Sequence, residues 1–414
     1  MSTKVREDAK KIIDAALAAC QPSEAVERAL ADRQFGRGKV VLAATGKAAW
    51  SMARTASECL GDRLDAGVVV TKYGHDMGPI AHCTVFEAGH PVPDENSFRG
   101  TAAAMDLVRN LGPGDEVIFL VSGGGSALFE YPLIPPAELA DLTKQLLRCG
   151  ADIVEMNTIR KRLSGVKGGR FTELCAPAHV FSIVLSDIIG DPLDMIASGP
   201  GVPDQSTCRQ ALHIADKYKL TVSSETMRLL QIETPKELDN VETVVTGSVR
   251  ELCRAAAKKC EELGYGAVLL TDQLCCQARE AGSFLASVAR THQNSERPAA
   301  FLAGGETVVK VTGSGKGGRN QELALAAAEG ISGLKNTVVF SVGSDGTDGP
   351  TDAAGGLVDG MTRYYLEAQG ISIPEMLAQN DAYHALAKAN GLIFTGPTGT
   401  NVNDFACVLI GEES

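Results

Sequence analysis

Lys39-Val40-Val41-Leu42-Ala43-Ala44-Thr45-Gly46-Lys47-Ala48-Ala49-Trp50-Ser51-Met52-Ala53 is the stretch that decides the fold class. Its apolar start reads as a short buried strand, broken by Thr45-Gly46-Lys47, and a helix begins at Ala48. Ala66-Gly67-Val68-Val69-Val70 then supplies a second strand. Strand, helix, strand is the signature of a parallel sheet. Such sheets bind ligands at the carboxyl ends of their strands, which is where Lys47 sits. A lysine at a helix N-terminus opposes the helix dipole, so Lys47 is either a surface lysine or a cation facing a ligand. Upstream, Ile12, Ile13, Ala16, Leu17 and Cys20 recur at helical spacing.

The same grammar continues downstream. Glu116–Val121 reads as a buried strand running into Ser122-Gly123-Gly124-Gly125-Ser126-Ala127. Three consecutive glycines let the backbone approach a ligand closely. Their amides can form a nest for phosphate oxygens, with Ser122 and Ser126 adding hydroxyls. Val180–Leu185 is a further strand that delivers Ser186-Asp187 at its end, followed by Asp191 and Asp194. An acid at that place can hold Mg²⁺ or act as a base. Between these strands Met156–Arg170 is the most basic segment of the chain. Asn157-Thr158 can cap a helix carrying Arg160 and Lys161, which then point to an anion. Residues 73–100 read as a long loop in which His90 either contacts a ligand or, the favoured reading, fixes the loop. A polar helical stretch from about 207 to 238 separates the halves, and Val241–Ser248 restarts the strand–helix–strand pattern. The domain boundary therefore falls so that 1–237 form one α/β domain and 238–414 a second.

The second half carries Gly304-Gly305-Glu306-Thr307-Val308-Val309-Lys310-Val311-Thr312-Gly313-Ser314-Gly315-Lys316-Gly317-Gly318-Arg319-Asn320-Gln321-Glu322. The alternating run Thr307–Val311 reads as a strand, the glycines as a loop, and Glu322–Glu329 as strong helix-forming sequence. Strand, glycine loop and helix make an anion site, to which Lys316 and Arg319 add full charges. A Walker loop needs a hydroxyl after Gly-Lys, and position 317 is glycine. The dinucleotide pattern does match at Gly313, Gly315 and Gly318, yet its acidic partner, Asp345, comes late. A last acidic turn, Gly343-Ser344-Asp345-Gly346-Thr347-Asp348, offers Asp345 and Asp348 for Mg²⁺ or for hydroxyl groups; the spacing is not that of a calcium-binding EF-hand loop.

The totals narrow the function classes. The chain has 414 residues and a formal charge of −12, which argues against nucleic acid or an anionic membrane as the general partner. An anionic substrate must then be caught by local cations. No apolar run approaches the length of a membrane span, and Met1–Asp8 has no signal-peptide core, so a cytoplasmic enzyme is expected. Eleven cysteines without a C-x-x-C pair read as reduced thiols rather than a zinc site. Glycine loops, cations and acids at strand ends form an inventory for phosphoryl transfer, in a cleft between domains whose closure expels water.

Thr45-Gly46-Lys47, Ser122–Ala127, Asn157–Ser164, Leu185-Ser186-Asp187 to Pro200, Gly304–Thr307, Gly318–Glu322 and Gly343–Asp348 together resemble, in order and over nearly the whole chain, the class II glycerate kinases. This glycerate 2-kinase family has also been labelled hydroxypyruvate reductase. The resemblance implies a Rossmann-like N-terminal domain with a mostly parallel sheet and a smaller α/β C-terminal domain. It implies ATP-dependent phosphorylation of D-glycerate at the 2-hydroxyl, with Mg²⁺, by a monomer or homodimer. Lys47, Asp187, Glu306 and Arg319 are the catalytic residues it implies. Lys47 and Arg319 would hold the substrate carboxylate or stabilise the migrating phosphoryl group, with Asn157, Arg160 and Lys161 as further substrate contacts. Asp187 would orient or deprotonate the hydroxyl or hold the metal, Glu306 would fix Arg319 or the metal, and Ser122-Gly123-Gly124-Gly125-Ser126 would cradle the nucleotide phosphates. The alternatives are a nicotinamide-dependent reductase and a non-catalytic protein that binds a phosphorylated metabolite.

Overall fold

The computed structural model describes residues 3–412; Met1 and Ser2 of the charged N-terminal stretch lie outside the described residues. The first sheet contains β1 (Val40–Thr45), β2 (Ala66–Lys72), β3 (Cys83–Ala88), β4 (Glu116–Val121), β5 (His179–Leu185) and β6 (Val241–Gly247). Their order is β3-β2-β1-β4-β5-β6, and β1, β2, β3, β4 and β5 pair in parallel. This is the doubly wound order, with the reversal between β1 and β4. β1 is buried along its whole length and β4 over its last five residues, because helices cover both faces of a parallel sheet. That is why both strands are unbroken apolar runs. The chain therefore leaves Gly46-Lys47 and Ser122–Ser126 at the carboxyl ends of the two strands that flank the reversal.

The second sheet contains β7 (Gly266–Leu274), β8 (Ala299–Gly305), β9 (Thr337–Gly343), β10 (Gly355–Asp359), β11 (Leu392–Ile393) and β12 (Asp404–Ile410). Its order is β11-β10-β9-β12-β8-β7. Only β7 and β8 run parallel; β12 is antiparallel to both β8 and β9, and β10 is antiparallel to β9 and β11. Among the described residues no helix is long and apolar enough to cross a membrane.

Four readings differ from the structure. β3 and the start of the helix Glu95–Val108 lie inside the segment 73–100 that reads as one long loop. β6 was read as the opening of the second domain, yet it is the last strand of the first sheet. Residues 25–246 form one compact unit, whereas the N-terminal segment through Glu24 belongs with the chain from Gly247 onward. The helix Thr3–Ala19 explains this: Val5, Ala9, Ile12, Ile13, Ala16 and Cys20 bury into one core with Leu252, Ala256, Phe340 and Phe405. Tyr265 donates to Asp8 at 3.1 Å, and Arg6 to Asp359 at 2.5 Å. Finally, Thr307–Val311 is not a strand. Val308 and Val311 are 56% and 75% exposed, and among the described residues the run makes one isolated bridge, Val308 to Gln277, outside any strand. The strand is β8, just before it, whose seven residues have an apolar, small-residue composition that fits a buried position.

The basic segment 160–170 is largely an internal brace. Lys161 donates to Asp194 and Asp204, each at 3.2 Å. Arg162, fully buried, donates to Thr158 O and Ser206. Asp204 also accepts from the Ser206 and Thr234 hydroxyls at 2.8 and 2.7 Å. Arg170 donates to the carbonyls of Lys161, Arg162 and Ser164, while Lys167 pairs with Glu130 at 3.1 Å. Removing one partner of a buried charge cluster strands the others without water. Asp204→Asn is therefore expected to cost about 3–5 kcal/mol, measured as a fall in the urea midpoint of unfolding at unchanged slope.

Candidate active site

The site in the unit 25–246 is built where β1, β4 and β5 end. Gly46 has φ 119°, and a Cβ there would sit 2.1 Å from Ser122 Oγ. The Ser122 hydroxyl is fully engaged: it accepts from Ala48 N at 3.1 Å and donates to Thr45 O at 3.3 Å. Ser122 thus locks the two strand ends together. Gly123 is glycine because the Asp187 carboxylate occupies the space beside it; a Cβ would lie 2.1 Å from Oδ2. Gly124 adopts φ 88°, a left-handed conformation that favours glycine. A Cβ there would also meet His90 at 3.1 Å and Lys47 Cγ at 3.2 Å. The glycine loop is therefore enclosed by a base, an acid and a lysine from three other segments.

A cavity of about 660 Å³ opens on this loop, lined by His90, Gly123, Gly124, Ser126, Glu130, Arg160 and Asp187 among others. Burial holds the Arg160 guanidinium below its usual range, with the Glu130 carboxylate pulling the other way. Of the five cations in 160–170, Arg160 alone has no hydrogen bond or ion pair within 4 Å among the described residues. It is half-buried and faces the cavity. His90, for which the sequence left ligand contact or loop fixing open, lines the same cavity. Burial, then the charges of Lys47, Lys72 and His75, depress its pKa, so the ring is neutral at neutral pH. Lys47 is held through its backbone, with its N–H on Gly123 O at 2.9 Å and its carbonyl 2.9 Å from His75 Nδ1. Ser126 shares a hydrogen bond with Ser198 at 3.0 Å, and Ser198 donates to Asn157 at 3.1 Å. Asn157 thus supports the loop from behind, and Lys161 is committed to the buried brace; neither is among the described residues that line the cavity.

In the other unit, the helix Arg319–Gly330 follows the glycine loop directly. Arg319 Nε and Nη2 bind Asp404 Oδ2 and Oδ1 at 2.5 and 3.0 Å, and Nη1 lies 3.1 Å from Glu306. Burial works against the charge of Arg319, but its hydrogen bonds to Asp404, with Glu306 and Asp348 nearby, outweigh this and raise its pKa. Asp404, the first residue of β12, is the partner that sequence reading missed. Its signal was weak, an acid at the junction of a polar turn and an apolar strand.

Asp348 is not free for a cation. Its two oxygens accept from the amides of Asn320 and Gln321 at 3.1 and 2.8 Å, so it caps the helix whose N-terminus was read as an anion site. The anion at that helix is supplied from within. Asp345 is partly exposed and accepts from Thr347 N at 3.0 Å. The glycines of the dinucleotide-like pattern are likewise consumed by packing. A Cβ at Gly313 would lie 2.3 Å from Gln379 O, at Gly315 2.4 Å from Asp381 Cβ, and at Gly318 2.3 Å from Asp348. Asn380 accepts from the amides of Thr312 and Gly313 at 2.7 and 2.9 Å, and Lys316 stacks 4.3 Å from the Tyr383 ring centre.

Two family models match the chain: a domain of unknown function, DUF4147, over residues 8–231, and the MOFRL family over residues 299–404. The chain is 50% identical to a D-glycerate 2-kinase of Thermotoga maritima, with 97% of each chain covered. It is 39% identical to a glycerate 2-kinase of Pyrococcus horikoshii, covering 98% of this chain and 97% of that one. The crystal structure of a glycerate kinase from Thermotoga maritima superposes with a TM-score of 0.94 at 49% identity, over 98% of this chain and 99% of that one.

Burial raises the Asp348 carboxyl to about 6 despite its two amide hydrogen bonds, against about 3.9 in an unfolded chain. Between about pH 4 and 6 the native state therefore holds a proton that the unfolded state has released. This residue's contribution to stability grows as pH falls through that window and is lost as pH rises through it. Asp348→Asn is expected to remove that slope and to cost about 1–2 kcal/mol at neutral pH through the weakened cap. Urea unfolding of both proteins at pH 4.5 and 7, values chosen at roughly the two ends of the window, measures both effects.

Proposed function

Because the chain belongs to the class II glycerate kinase family, we propose that it transfers the γ-phosphoryl group of ATP to the 2-hydroxyl of D-glycerate, giving 2-phosphoglycerate and ADP. The observation that carries this reading is the convergence of Lys47, His90 and Asp187 on the glycine loop at the sheet's reversal point, the place where doubly wound sheets bind ligands.

The side chains around the loop divide the work, with Asp187 suited to two parts of it. The 2-hydroxyl oxygen forms a bond to the γ-phosphorus as the bond from that phosphorus to the bridging oxygen breaks, and ADP leaves with the electron pair. The hydroxyl proton passes to the Asp187 carboxylate and then to solvent. Lys47 neutralises charge on the transferring group, a contribution that preorganised cations make without reorganisation cost. Arg160, whose side chain makes no hydrogen bond or ion pair within 4 Å among the described residues, takes the substrate carboxylate in two-point fashion. Neutral His90 can donate from one ring nitrogen to a phosphoryl oxygen.

Among the described residues no group of three or more His, Cys, Asp or Glu side chains is placed to hold a metal. Mg²⁺ needs no such cage, since phosphate oxygens and water complete its shell around one or two carboxylates. Asp187 fits that role beside the loop, whereas both oxygens of Asp348 are spent on amides. When bound, the ion would screen the phosphate charges.

Incubation with ATP, Mg²⁺ and D-glycerate, followed by phosphorus NMR, is expected to show 2-phosphoglycerate and ADP. Sole formation of the 3-phosphate would refute the regiochemistry, and NADH oxidation with hydroxypyruvate in place of ATP use would refute the kinase. Gly123→Ala forces the Asp187 carboxylate to move, and a displacement of about 1 Å can cost on the order of 100-fold in rate. A fall of that size in kcat is expected, with the thermal midpoint little changed.

A further inference from the structure

The cavity at the glycine loop is larger than a three-carbon acid requires. At about 660 Å³ it falls in the range of roughly 300–1,000 Å³ that accommodates drug-sized ligands. Away from the loop its walls change character. One wall is a stripe of the helix Pro136–Arg148, with Pro136, Ala140, Thr143 and Leu147 on one face, the i, i+4, i+7, i+11 spacing of helical neighbours. The other wall includes Val92, Pro93 and Phe98.

These walls leave apolar side chains to water: Val92 is 68% and Leu147 61% exposed. Isolated exposed apolar residues need no explanation. Two that line one cavity, continuous with a loop suited to phosphate, do point to a ligand with an apolar part. Of the two polar residues that the helix brings to the cavity, Thr143 is already spent, since it donates to Leu139 O at 2.9 Å, and Lys144 supplies a cation beside the stripe. The stripe therefore offers surface rather than a pattern of donors and acceptors.

We propose that this apolar arm, between Val92-Pro93 and the Ala140–Leu147 face, holds the purine base of the nucleotide. The arm grips the base by its faces while the phosphates run to Gly123–Ser126. This rests on the kinase reading for the nucleotide but not for the acceptor. It makes Ala140 and Leu147 determinants of nucleotide affinity that take no part in the chemistry.

The test is equilibrium binding without turnover. ADP and inorganic tripolyphosphate are titrated by calorimetry into the full-length protein and into Ala140→Trp, which fills the arm from an exposed helix position. ADP affinity is expected to fall at least about tenfold, or 1.4 kcal/mol, while tripolyphosphate, which has no base, binds as before. Leu147→Ser, also at an exposed position, is expected to weaken ADP about threefold in the same direction. Unchanged ADP binding in both variants, or an equal loss for tripolyphosphate, would overturn the proposal. Because binding alone is read, the result stands apart from the acceptor: a wild-type protein that binds ADP through the arm yet forms no phosphoglycerate would contradict the glycerate reading only.

Discussion

Between the ends of β1, β4 and β5 there is no room for one more methyl group. Gly46 meets Ser122, Gly123 meets Asp187, and Gly125 would meet Ala197 at 2.6 Å. The tightness has a simple source. Parallel strands deliver their carboxyl ends side by side, and each end turns at once into a loop that must find space among its neighbours. Glycine is the one residue that lets the loops pass each other and still leaves their backbone facing outward. The acid and the imidazole pack against this loop, and the lysine is tied to it through its backbone, by contacts made when the sheet forms, which is the sense in which such a site is preorganised.

The C-terminal unit treats the same problem in the opposite way. There the helix after the glycine loop has its leading amides closed by Asp348, and the loop is stitched down by Asn380 and Asp381. What remains open is not backbone but one guanidinium, fixed in place by two carboxylates. Arg319 keeps a third of its surface exposed, so a rigid charge is presented without the entropy cost of ordering a free arginine.

The sequence showed the first of these arrangements more clearly than the second. β4 and Ser122–Ser126 were readable because an unbroken apolar run followed by glycines has few other meanings in a parallel sheet. Lys47 and Asp187 followed from their place after such runs. Thr307–Val311 misled, because alternating residues imitate a strand when nothing in the local pattern says that the segment lacks a partner. Asp348 and Asp404 could not be assigned from spacing: one caps a helix 28 residues upstream and the other grips an arginine 85 residues away. The cations of 160–170 posed a related difficulty. Whether a basic run is a surface, a site or a buried brace depends on acids such as Asp204 and Glu130 that only the fold brings near.

The path of the chain carries a consequence for synthesis. The helix Thr3–Ala19 is made before either sheet, but its apolar face belongs with strands and helices that lie beyond Gly247. On the ribosome the intervening unit can close on its own residues as soon as it emerges. The leading helix must wait, amphipathic and uncovered, for more than half the protein to be translated. The second core is thus completed late and by a contact of very long sequence separation, the kind that slows folding. A newly made chain passes through a stage in which the sheet bearing the glycine loop is formed while its own N-terminus is still an exposed hydrophobic surface, the stage at which a chaperone would have most to hold.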